Sequence, residues 1–376
     1  MSKVISAVPF LDLAPQYQAL EAEWLAAIRA SGAKGSFILG PNVTAFEQEF
    51  AAYVGVKHAI GVANGTDSLI LSLRALGIGR GDEVITTPFT FFASSEAIDG
   101  VGATPVFADI DADSFCIDPA SIRRCITPKT RAILPVHLFG HPTAMDEIMA
   151  IANEHKLAVI EDCAQAFGAT SGGRAVGSIG DTGSFSFYPT KVLGCYGDGG
   201  MVTTNRDDVN EHIRRLRNHG AVKPFIHTEI GYNSRLDEIQ AAVLRIKLRT
   251  IKADIEGRRK VATEYDKRLT GTGIKTPTQP KNGTHVFNLY TARMLQRDAV
   301  RQALTDNQIG SSQCYPRSLH LQEVYRHLGY KLGSLPVCEQ ATTETLSLPI
   351  YPGMPLAHIE RVCAVLLAAL APASSS

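Results

Sequence analysis

The sequence predicts an α/β fold: a large domain on a mostly parallel sheet, then a smaller α+β domain at the C-terminal end. Three observations predict it. Short apolar segments of strand length recur between residues 58 and 205, helical segments lie between them, and the pattern changes after Asn233. With 376 residues, 45% hydrophobic and 20% charged, the chain can bury large cores, and its length favours two domains over one.

In chain order the strand candidates are HAIGVAN (58–64), EVITTP (83–88), TPVFADI (104–110), AILPVHL (132–138), LAVIEDC (157–163), GSFSFYP (183–189) and GGMVTTN (199–205). Most are bounded by Gly, Pro, Asn or Asp, which stop strands. TDSLILSLRALG (66–77) and AMDEIMAIANEH (144–155) read as helices, the second with apolar residues at helical spacing. Beyond Asn233, Leu236, Ile239, Val243 and Ile246 line one face of a single long helix over 234–269. The domain boundary is therefore placed near 245, dividing the chain into 1–245 and 246–376. The second part carries a strand candidate at 285–294 and helices near 297–307 and 356–370, and the final PASSS reads as disordered.

Lys+Arg and Asp+Glu both number 37, so no net field favours nucleic acid or a membrane surface as partner. The seven cysteines are scattered without a CxxC pair, which argues against a disulfide framework or zinc ribbon and fits a reducing cytoplasm. MSKVISAVPFLDL lacks a signal-like apolar core, and VCAVLLAALA (362–371) is too short to span a bilayer. His137 and His141 have the i, i+4 spacing of a metal pair, but at a strand end and turn that spacing does not align side chains, and no metal is expected. No GxGxxG follows the first strand and no Walker loop exists, so nicotinamide chemistry and nucleotide hydrolysis lack their basic signals.

Ligands of parallel sheets bind beyond the carboxyl ends of the strands, and there the polar residues are chemically coherent. Gly65-Thr66-Asp67 opens a helix whose amides suit a phosphate, although an ordinary N-cap reads the same. Asp162 and Gln165 follow a strand; the carboxylate would pair with a cationic ligand nitrogen or cap a helix. Lys191 stands between Pro189 and the glycines 194, 197, 199 and 200, a constrained turn at the mouth of the sheet. Ser186 on its own reads as another strand serine, but with an aromatic ring at Phe91 or Phe92 the strand-end Asp162, the helix start and Lys191 meet the needs of pyridoxal phosphate. The lysine forms the Schiff base, the carboxylate keeps the pyridine nitrogen protonated, and the phosphate anchors the cofactor.

FLDL (10–13), FILGPNVTAFEQEFA (37–51), ANGTDSL (63–69), GDEVITTPFTFFAS (81–94), VIEDCAQAFGA (159–169), SFYPTKVLGCYGDGG (186–200) and GYNSRLDEIQAA (231–242) carry a resemblance. Over nearly the whole chain the sequence resembles the DegT/StrS-type nucleotide-sugar aminotransferases, which have the aspartate aminotransferase fold (fold type I). The resemblance implies that Lys191 is the Schiff-base lysine, Asp162 the pyridine-nitrogen partner and Gln165 a neighbour of the ring hydroxyl. It puts Phe91 on the cofactor ring and Gly65, Thr66 and Ser186 at its phosphate, with Asn233 lent to the partner subunit of a homodimer. Arg235, Tyr315 and His320 fall at the sugar. The YPTKVLGCYGDGG loop resembles enzymes that aminate C3 of a UDP-2-acetamido-3-keto sugar with L-glutamate as donor, for surface polysaccharide or lipopolysaccharide synthesis. One departure is Cys314, where the family's HYP-x-x-LH motif begins with histidine, and it weighs against a glucuronate substrate. C4 amination, a sugar dehydratase and a ligand-binding regulatory relative are the alternatives. Dehydratases of this kind typically replace the lysine by histidine, and a binding-only relative has little reason to keep Lys191, Asp162 and Gln165 together.

Overall fold

The structure is a computed structural model that describes residues 7–370; the PASSS segment lies outside the described residues. Seven strands form one sheet in the spatial order His58–Val62, Gly200–Thr204, Thr182–Ser186, Ala158–Asp162, Thr130–Leu134, Glu83–Thr86, Thr104–Phe107. Each falls on one of the seven sequence candidates. Gly200–Thr204 runs antiparallel to both its neighbours, and the remaining pairs are parallel. Parallel pairs require crossovers, supplied here by helices such as Gly65–Ala75, Ala93–Gly100 and Met145–His155. Alternating side chains cover both faces: Val84, Ala132 and Ile160 pack with Leu69, Leu73 and Ile98, while Ile85, Ile133 and Val159 meet Met145, Ile148 and Ile151. Burial on both sides explains the near-continuous apolar runs.

After Asn233 the expected single helix is two, Glu238–Leu248 and Ile251–Leu269. The break falls at Thr250, whose N–H and hydroxyl both bond to the Lys247 carbonyl (3.1 and 3.2 Å), a local bond that competes with helix continuation. The strand expected over 285–294 shortens to Tyr290–Arg293, paired antiparallel with Thr345–Leu348. Ahead of it His285 Nδ1 accepts from the Phe287 N–H (2.9 Å) and Phe287 adopts φ +50°, which is incompatible with a strand. Val261, Tyr265, Tyr290, Val300, Leu346 and Val362 share one C-terminal core, whereas Leu319, Tyr325 and Cys338 join the core of the large sheet. The division into 1–245 and 246–376 thus stays a proposal about chain order; in space the two halves interleave. Among the described residues no helix is long and apolar enough to cross a membrane.

Candidate active site

The Thr182–Ser186 strand delivers the chain to a loop that turns back on itself. The Lys191 N–H donates to the Tyr188 carbonyl (2.9 Å) and the Cys195 N–H to the Phe187 carbonyl (2.8 Å). Only glycine fits at 194, since a Cβ there would lie 2.5 Å from the Pro189 carbonyl oxygen. The helix Glu238–Leu248 clamps the loop from outside. Gln240 accepts from the Tyr196 N–H (2.9 Å) and donates to its carbonyl (3.1 Å), while the buried ammonium of Lys247 donates to the Gly194 carbonyl. Lys191 emerges from this turn half-buried. Burial lowers its pKa, and the Asp162 carboxylate and Cys314 thiol group pull it part of the way back up. A larger neutral fraction of the amine follows, the form that condenses with an aldehyde.

Asp162 ends the neighbouring strand and is 5% exposed. Burial raises its pKa; the Ala164 N–H on Oδ1 (3.1 Å), the Ser94 hydroxyl on Oδ2 (2.8 Å) and the charge of Lys191 oppose that rise. Gln165 is fixed at both ends, accepting from the Phe139 N–H (2.8 Å) and donating to the Tyr315 hydroxyl (3.0 Å). Tyr315 also sets its ring edge against Phe89, and burial pushes its hydroxyl pKa up. Lys191, Asp162, Gln165 and Tyr315 therefore meet at the carboxyl ends of the parallel strands.

Beside them the helix Gly65–Ala75 begins, with Asn64 Oδ1 accepting the Asp67 N–H (2.8 Å). Gly65 lies so close to Ser186 that a Cβ at 65 would sit 2.7 Å from the Ser186 Cβ. A glycine backbone, Thr66 and a hydroxyl at a helix start form a cradle suited to a phosphate. Phe91 is 60% exposed at the head of the helix carrying Ser94.

Other sequence candidates lie apart. Asn233 is exposed and bridges to Asn218, and Arg235 Nη1 reaches Asn218 Oδ1 at 3.4 Å. No described hydrogen bond or ion pair joins either to Lys191, Asp162 or Gln165. His320 is buried, with Nε2 on Glu339 (3.0 Å) and its ring against Tyr330, and the sugar role expected of it finds no geometric support. His137, Glu161 and Cys163 cluster behind Asp162 with donor atoms within 4.8 Å of one another. The lone pairs of His137 and Glu161 are committed, and the Cys163 thiol donates to the Glu161 carbonyl. The Thr143 N–H donates to His137 Nδ1, so Nε2 carries the proton and donates to Glu161, whose oxygens also accept the Gly177, Ile179 and Gly180 N–H groups. His141 turns Nδ1 to the Pro142 carbonyl (2.7 Å). Sequence reading assigned no role to Ser94 or Gln240, although both lie in the motif segments 81–94 and 231–242, nor to Lys247, which lies outside them.

Residues 18–367 match the DegT/DnrJ/EryC1/StrS aminotransferase family. The chain belongs to that family. It is 47% identical to the "Pleiotropic regulatory protein" of Geobacillus stearothermophilus, over 92% of this chain and 94% of the relative. It is 45% identical to "UDP-N-acetyl-3-dehydro-alpha-D-glucosamine 3-aminotranferase" of Acidithiobacillus ferrooxidans, over 96% and 97%. Among solved structures, that of S. venezuelae DesV in complex with a ketimine intermediate superposes with a TM-score of 0.94 at 43% identity, covering 96% of this chain and 98% of the other. The DegT-family chain is thus a pyridoxal-phosphate-dependent aminotransferase of fold type I, as the sequence led us to expect. The cradle at Gly65, the buried carboxylate of Asp162 and the partly neutralised amine of Lys191 fit that cofactor.

Proposed function

We propose that the enzyme transfers an amino group from L-glutamate to C3 of a UDP-linked 2-acetamido-3-keto sugar, in a homodimer whose subunits share their active sites. The observation that carries the reading is the meeting of Lys191, Asp162 and Gln165 at the strand ends beside the Gly65–Ser186 cradle. The GCYGDGG end of the lysine loop and the 45% identical 3-aminotransferase support C3. One relative bears a regulatory name, but this chain retains the lysine, the carboxylate and the glutamine that turnover requires.

Bound in the cradle, pyridoxal phosphate supplies an electron sink and carries the amino group between donor and acceptor. The residues do the rest. Lys191 would hold the cofactor through Nζ, and when free the same Nζ would act as the base and acid that moves the proton, a role its lowered pKa suits. Asp162, held by Ala164 and Ser94, keeps a negative charge opposite the pyridine nitrogen. Gln165 would orient the ring hydroxyl, Phe91 would cover the ring, and Gly65, Thr66 and Ser186 would hold the phosphate together with Asn233 from the second subunit. Among the described residues the Arg235 side chain makes one hydrogen bond, to the neutral Asn218 amide at 3.4 Å, so its guanidinium is available to an anionic substrate group. Tyr315, held by the Gln165 amide, would contact the sugar.

The direct assay supplies glutamate with UDP-3-keto-N-acetylglucosamine, its glucuronate counterpart, or a dTDP-linked 3-keto sugar, each generated in situ. The account expects a C3 amine on the UDP-N-acetylglucosamine form, one 2-oxoglutarate per amine, and parallel initial-rate lines of ping-pong kinetics. Amination at C4, or turnover confined to the dTDP sugar, contradicts it.

A further inference from the structure

Behind the site, in a segment whose motif role was confined to Phe91, two hydroxyls lead to Asp162. Ser94 Oγ is 2.8 Å from Asp162 Oδ2 and 3.1 Å from Thr90 Oγ1, and all three residues are buried. An ionised carboxylate only accepts, so the Ser94 proton points to Oδ2, and the Ser94 oxygen is left to accept the Thr90 proton. The direction of the chain is fixed: Thr90 to Ser94 to Asp162. Ser94 is the second residue of the helix Ala93–Gly100, where a serine commonly bonds its own backbone, yet its hydroxyl is spent on Thr90 and Asp162 instead.

The titratable groups acting on or influenced by Asp162 are Lys191, His137, Cys163 and Tyr315. His137 accepts at Nδ1 from the Thr143 N–H and passes its single ring proton to Glu161, so it is neutral. Burial keeps the Cys163 thiol and the Tyr315 hydroxyl protonated. Lys191 is committed to the cofactor at rest. Among the described residues this leaves Ser94 as the one side chain that donates a hydrogen bond to the carboxylate, alongside the Ala164 amide.

We propose that Ser94 and Thr90 are positioning residues, a two-hydroxyl chain that orients Asp162 and holds it ionised opposite the pyridine nitrogen. The inference rests on the reading of Asp162 as that nitrogen's partner. A hydrogen bond to the charged form of a buried carboxylate favours that form, and successive hydroxyls polarise one another in a low-dielectric interior. Loss of the chain therefore weakens the pyridinium. With less electron withdrawal by the ring, the nitrogen of the lysine linkage becomes more basic.

The test titrates the visible band of the lysine-linked cofactor in the wild type and in Ser94→Ala, Thr90→Val and Asp162→Asn, and measures cofactor affinity on reconstitution. Ser94→Ala should raise the pH midpoint by about half a unit or more, and cofactor should bind about tenfold more weakly. Thr90→Val should shift the midpoint less, in the same direction. Ser94→Cys, close in shape but a weaker donor, serves where the alanine variant does not fold and is read the same way. A midpoint in Ser94→Ala equal to wild type, while Asp162→Asn moves it, overturns the proposal and leaves the role of Asp162 standing. No movement in Asp162→Asn overturns the assignment beneath it as well. A shift in Ser94→Ala with none in Thr90→Val removes Thr90 from the chain and retains Ser94.

Discussion

At the cofactor end of the site every group is held by its own chain. Asp162 receives Ala164 and Ser94, Gln165 is pinned between Phe139 and Tyr315, and the Lys191 loop is clamped by Gln240 and Lys247. At the other end Phe91 lies open, Asn233 is exposed, and among the described residues the Arg235 side chain makes one hydrogen bond, a long one to the Asn218 amide. The adjoining segment exposes Phe225 at 93% and Ile230 at 84%. The contrast teaches where one chain stops. The groups proposed to set the cofactor's electronics are held within one subunit, and the open end, with Phe91, Asn233 and Arg235, is where the shared-site proposal places a second copy.

The largest effect would break that contrast outright. Lys191→Ala and Arg235→Ala subunits, each inactive, are refolded together. If the arginine acts on the partner's site, mixed dimers carry one site with both lesions and one intact site, so about a quarter of all sites regain activity under random pairing. If it acts in its own chain, every mixed site keeps a lesion, and a silent mixture with demonstrated subunit exchange rejects the shared site.

A smaller effect sharpens the other half. Burial drops the Lys247 pKa from 10.5 to about 8, so between those values the unfolded chain binds more protons than the native one. Stability should then rise as pH climbs from about 8 to 10.5, and below 8 the full cost of burying the charge persists. Buried thiols with raised pKa values oppose this gain in every variant, so the Lys247 contribution is read as a difference: from pH 7.5 to 10, denaturant unfolding should show a stability change more favourable in the wild type than in Lys247→Met by on the order of 1–2 kcal/mol. An equal change in both would show that Lys247 is not the group responsible.

The same division marks what could be read from sequence. All seven sheet strands were legible, because strands buried on both faces leave apolar runs with turn residues at their ends. Lys191, Asp162 and Gln165 were legible because each stands at a strand end inside a recognisable motif. Ser94 was not, since its meaning depends on Asp162, 68 residues away. Nor was Lys247, whose target carbonyl is 53 residues distant, and a lysine in a helix otherwise reads as solvated. The break at Thr250 was hidden because apolar periodicity runs through it, while a single hydroxyl bond to Lys247 decides the local structure. The opposite fate befell His320: its motif position suggested substrate, and tertiary packing gave it to Glu339.

Two buried or half-buried lysines with lowered pKa values flank the same loop, Lys191 on it and Lys247 beneath it, so the central assignment has a built-in rival. Borohydride reduction of the holoenzyme, followed by peptide mapping, separates them. The account predicts one cofactor adduct per subunit, on Lys191, and no covalent adduct in Lys191→Ala. An adduct on Lys247, or on any other residue, would contradict it.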